Sequence, residues 1–158
     1  MKKRFPIFLM FWLITLSSFE SESVNYEQIT FDFFVSDILA TDFKNVTSFD
    51  FKDKTENSYA TLGKFKFCLS PEEKLGTIIE SAIRGVKRNE KRIEFKDIVG
   101  LKITDFQRSK SDRLFVYPSL HIADNHYVFL LFRNKEQAIK YVFELTPVGD
   151  ILRNCKLD

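Results

Sequence analysis

The side chains best suited to chemistry sit close together: His121, Asp124 and His126, and those two histidines are the chain's only ones. Two imidazoles and a carboxylate can hold a transition-metal ion or form a general acid–base pair. The spacing argues against both uses. With Asp124-Asn125 read as a two-residue hairpin loop, Ala123 opposes His126, Ile122 opposes Tyr127 and His121 opposes Val128. The histidines then lie diagonally, and Asp124 stays in the turn. No His-x-x-x-His, Cys-x-x-Cys, Gly-x-Ser-x-Gly or glycine-rich phosphate loop supports a cofactor or a nucleophile. The sequence therefore assigns no catalytic residue, no metal and no cofactor.

A second cluster is basic: Arg84, Lys87, Arg88, Lys91 and Arg92. It could bind an anion. Cations at a helix end also suit the helix dipole, and Glu90 and Glu94 interrupt the run. A third pair is Cys68 and Cys155, the only cysteines. In an oxidising compartment one disulfide would close a loop of about 90 residues, worth roughly 3–4 kcal/mol in the chain-entropy model. Strand phasing opposes it. Cys68 shares a face with Lys64 and Lys66, while Cys155 shares one with Ile151 and Leu157.

Residues 1–23 have the form of a secretory signal peptide. Lys2, Lys3 and Arg4 form a positive start, and residues 5–16 an apolar stretch of about twelve, short of the roughly 20 needed to span a bilayer. Ser21 and Ser23 suit cleavage before Val24. Residues 24–158 then form a single α+β domain of net charge +1, periplasmic or extracellular, with no stable membrane span. So small a charge does not suggest nucleic acid. The style, short and rich in Phe, Lys and Asn, points to a bacterium. Asn45-Val46-Thr47 would be a glycosylation sequon only in a eukaryote.

The positioning elements follow from periodicity. Residues 127–132, Tyr-Val-Phe-Leu-Leu-Phe, predict a central strand with both faces covered. Asn25 and Gln28 open a capping box, and Phe31, Phe34, Val35, Ile38 and Leu39 recur at helical spacing. A strand with Ile29, Phe31, Phe33 and Val35 on one face competes with it. Residues 45–52 and 59–69 predict two strands paired as a hairpin. Ser70-Pro71-Glu72-Glu73 starts a second helix with the stripe Leu75, Ile78, Ile79, Ala82, Ile83 and Val86. Short strands over 93–96 and 101–106 come next. Four more follow over 113–123, 126–133, 137–146 and 150–157, the first carrying a bulge or an edge at Pro118.

The expected fold is thus an α+β antiparallel meander of about six to eight strands carrying two amphipathic helices. That architecture resembles cystatin-like and nuclear-transport-factor-like cones, a likeness that implies no activity. One sheet face, with Leu114, Val116, Leu120, Ile122, Tyr127, Phe129 and Leu131, is assigned to the helix-packed core. The other holds Phe115, Tyr117, His121, Ala123, His126, Val128, Leu130 and Phe132. It could be a pocket wall, a dimer interface, or a face covered by the N-terminal helix. The functional expectation is an exported, non-catalytic binding protein. It would use the Phe115, Tyr117, His121, His126, Val128, Leu130, Phe132 face toward its own copy or another envelope or extracellular protein. A carrier of a small apolar ligand, and a hydrolase using His121 or His126, are the alternatives.

Overall fold

A computed structural model of the chain describes residues 23–56, 91–95, 98–104 and 112–157. Residues 1–22 of the expected signal peptide, the strand expected over 59–69, the expected second helix and Cys68 fall outside those residues. So do Arg84, Lys87 and Arg88.

One helix, α1, begins at Tyr26–Phe33, widens into a π-helical stretch at Phe34–Leu39 and closes with Ala40–Asp42. Asn25 caps it, its side-chain oxygen accepting from the Gln28 N–H at 3.1 Å. The box is only half closed, because the Gln28 amide pairs instead with the backbone of Glu94, donating at 2.6 Å and accepting at 2.8 Å. The helical stripe holds. Phe31, Phe34, Val35, Ile38 and Leu39 are all buried, each contributing about 1.5–3 kcal/mol of transfer free energy. The π-helical stretch coincides with four of those five core residues, a local widening that lets the stripe follow the sheet.

The helix lies on a seven-stranded mixed sheet. Its strands are β1 (Ser48–Phe51), β2 (Lys102–Thr104), β3 (Arg113–Val116), β4 (Leu120–Ile122), β5 (Asn125–Arg133), β6 (Ala138–Leu145) and β7 (Ile151–Leu157). The order is β2-β1-β3-β5-β6-β7, with β4 also paired to β5. From β3 to β7 the chain is the expected antiparallel meander. The first strands are not. β1 runs parallel to β2 on one side and to β3 on the other. A wholly antiparallel sheet is thereby corrected to a mixed one. Parallel neighbours require crossovers, which local patterning does not announce. Residues 93–95 of the short strand expected over 93–96 form no strand, Ile93 N–H donating instead to the Asp53 carbonyl at 2.8 Å.

All six residues 127–132 are buried, so both faces of β5 are covered. Helix α1 packs on the face of Val128, Leu130, Phe132, Ile139, Tyr141, Phe143 and Leu145, joined by Phe49, Phe51, Leu114 and Val116. Of the readings open for the second face, cover by the N-terminal helix holds for Val128, Leu130 and Phe132, while Tyr127, Phe129 and Leu131 point away from α1; Leu114 and Val116, expected on the face of Tyr127, lie on the α1 side instead. The reason for the mixed outcome is Pro118. Val116 opposes Leu130, but Leu120 opposes Tyr127. Three residues, Tyr117, Pro118 and Ser119, therefore face two on β5. One extra residue inverts the alternation, so Leu114 and Val116 share a face with His121 instead of with Leu120 and Ile122.

At the β6–β7 turn, Gly149 has φ +98°. A Cβ there would lie 2.6 Å from Ile29 Cδ1 and 3.1 Å from Val24. Glycine lets this turn close against the start of α1.

Candidate functional site

The β4–β5 hairpin turns at Ala123-Asp124, one residue earlier than the Asp124-Asn125 reading, and Ala123 adopts φ +54° to do so. The register shifts by two residues and sets His121 directly opposite His126. Their rings stack with centroids 4.7 Å apart and planes 22° apart. Tyr26, from the first turn of α1, stacks on His126 at 3.8 Å and 14°. Its hydroxyl donates to the Pro147 carbonyl at 2.7 Å. Three rings from α1, β5 and β4 thus form one ladder, open to solvent at His121. Burial and the nearby His121 and Lys91 charges hold the His126 pKa below its ordinary value, with Glu27 opposing them.

Beside the ladder is Glu27, whose side chain is fully buried. One oxygen accepts from the Ser119 backbone N–H at 2.7 Å, within the Pro118 bulge. The other meets Lys91 Nζ at 2.8 Å. Glu27 extends the helical stripe backward, four residues before Phe31 and seven before Phe34. Its position on the buried face was thus readable, although its partners were not. The Lys91 backbone N–H also donates to Thr55 Oγ1 at 2.9 Å.

The opposite face carries a second buried carboxylate. Glu144 on β6 accepts from Asn125 Nδ2 at 2.7 Å and from the Tyr127 hydroxyl at 3.0 Å. Its other oxygen pairs with the Arg153 guanidinium on β7. Burial would raise the Glu144 pKa, but the bonds from Arg153, Tyr127 and Asn125 outweigh it and leave the group below its ordinary value. The Tyr127 phenol is pushed up to about 12 by burial and by its bond to that carboxylate. It remains a donor at any physiological pH.

The expected binding face is distributed as follows. Val128, Leu130 and Phe132 are fully buried in the α1 core, and His121 and His126 stand at the rim of that same side. Phe115 opposes Leu131 on the far side, and Tyr117 is buried in the bulge. Of the basic cluster, Lys91 is bound to Glu27, and Arg92 lies 3.8 Å from Asp53. Cys155, opposite Val142 on the side away from α1, is disulfide-bonded.

One surface escaped the sequence reading. Residues 98–101 form a tight turn in which Leu101 N–H donates to the Ile98 carbonyl at 3.0 Å and Gly100 takes φ +83°. Val99 stands wholly in solvent at its tip and Ile98 is 40% exposed. The turn borders an open groove of about 210 Å³. Val35, Leu39, Phe43, Val46 and Leu101 line it, with Lys44 beside them. The signal was a run of apolar residues around a glycine, Ile98-Val99-Gly100-Leu101, too short to suggest an element.

No family model matches this chain, and no curated protein or solved structure is significantly similar to it.

Proposed function

We propose that this is an exported, non-catalytic binding protein that takes a bulky apolar side chain of a partner protein into the groove between α1 and the 98–101 turn. The observation that carries the reading is Val99, fully exposed at the tip of a turn that borders an apolar groove. Isolated exposed valines are common, but one continuous with an apolar groove marks a contact surface. The groove's volume suits one side chain or a short acyl stub and is small for a whole drug-sized ligand.

The buried polar groups support a binding role over a catalytic one. Among the described residues Glu27, Thr30, Asp50, Thr55 and Glu144 are the buried polar side chains. Each is engaged, Asp50 by Thr104 Oγ1 at 2.6 Å and Thr30 by the Tyr26 carbonyl at 2.8 Å. Groups satisfied in this way hold the fold together and are poorly placed to shuttle protons. The histidines stack on each other and His126 also on Tyr26, and among the described residues neither meets a nucleophile.

A photoreactive residue placed at 99 tests this in the cells that export the protein. The expected result is one defined cross-linked species, absent when the probe is moved to the exposed position of Lys135. Equal labelling from both positions, or none from 99, would remove the groove from consideration. A carrier would instead show an extra non-covalent small mass on the native protein.

A further inference from the structure

We propose that His121 and His126 form an open, two-histidine site for a borderline divalent transition ion such as Zn²⁺, Ni²⁺ or Cu²⁺. The inference is independent of the groove and revises the expectation that the chain holds no metal. That expectation rested on a diagonal placement of the histidines, and the structure replaces it with a direct one. His121 and His126 are register partners one step from the two-residue turn. Directly opposed strand residues hold their Cβ atoms about 4.5–5.5 Å apart, within reach of a shared ion with Zn–N bonds of about 2.0–2.1 Å.

Each ring has a distinct part. His126 is the fixed ligand: its position is set by the Tyr26 stack, and Tyr26 is tied to the Pro147 carbonyl. Such support for a ligand ring raises metal affinity. His121 is the adjustable one. It is exposed, so among the described residues turning its ring to aim a nitrogen at the ion His126 binds displaces only the ring-on-ring stack. Both must be neutral to ligate, and the surroundings of His126 favour the neutral imidazole. The charges facing His126 from the packed elements are Glu27 on α1 and Lys91. They are paired with each other at 2.8 Å, so they largely offset one another at the site. Imidazole nitrogen selects ions of this class, with Cu²⁺ bound most tightly in the usual affinity order. Two protein ligands leave the other coordination positions to water or to a ligand brought by a partner.

The test is titration of the untagged protein with Zn²⁺ and with Cu²⁺ at pH 7.5, followed by calorimetry and by the imidazole proton resonances. One saturable equivalent is expected, tighter for Cu²⁺, with both histidine signals shifting together on Zn²⁺ and broadening together on Cu²⁺. His121→Ala, at an exposed position, should fold normally. It should lose affinity by more than the roughly 10–100-fold that removal of a merely supporting group costs. His126→Gln should do the same, and affinity should fall as the pH is lowered below about 6.5, where protons compete. No saturable binding, or binding whose affinity survives His121→Ala, overturns the proposal.

Discussion

Two buried carboxylates flank the start of β5, and they are built differently. Glu27 lies on the α1 side, and its partners, Lys91 and Ser119, are 64 and 92 residues away. Glu144 lies on the other side, and its partners, Arg153, Tyr127 and Asn125, are 9, 17 and 19 residues away on neighbouring strands. Glu144 joins strands that already pair backbone to backbone. Glu27 joins a helix, a bulge and a distant segment that share no ladder. The same chemical group thus serves register on one side and docking on the other. Removing the docking contact should cost more, because among the described residues those pieces meet through side chains, Gln28 to the Glu94 backbone being the other such link, and not through a ladder.

The largest expected effect follows directly. Glu27→Ala leaves the Ser119 N–H and Lys91 without their acceptor and should lower stability by about 3 kcal/mol, the low end for a broken buried pair because Lys91 is partly solvated. Urea unfolding measures it, and the loss should also deprotect the α1 amides to hydrogen exchange. Glu144→Ala should cost less, about 2 kcal/mol, since Arg153 is half exposed and can be rehydrated. An equal or greater loss at Glu144 would reverse the comparison.

pH separates the two sides further. Glu144 titrates below its unfolded value of about 4.3, so its contribution is full above that pH and disappears as pH falls through the folded value. His126 titrates below about 6.5. Its unfolded form takes up a proton first, so stability should decline as pH drops from about 6.5 toward the folded value. Urea midpoints recorded against pH should show two steps. His126→Gln should remove the upper one and Glu144→Gln the lower. A single step abolished by either variant would mean that the sides are not independent. Smallest of all, Val99→Asp should change stability by less than about 0.5 kcal/mol, as befits a fully solvated side chain.

The same contrast explains what was legible in the sequence. The α1 stripe, the β3–β7 meander and the covered central strand follow from periodicity, which is local. The bulge at Pro118 was signalled, but its consequence was not carried through, and one extra residue was enough to exchange the faces of β3 relative to β4. The histidine pairing was missed because a hairpin loop one residue earlier changes every partner by two while leaving each side chain on the same face. The parallel placement of β1 and the Glu27 contacts depend on segments far apart in sequence, where patterning carries no information. The groove went unseen because its walls come from α1, the approach to β1 and the 98–101 turn, none of which suggests a surface on its own.

The most direct test of partner binding at the groove is native mass spectrometry of the protein purified from the cells that make it, compared with Val99→Asp. The wild type should give a complex of defined mass with a second protein, and the variant the bare chain, folded. A complex that persists unchanged in Val99→Asp would contradict binding at the groove and place the contact on another surface of the protein.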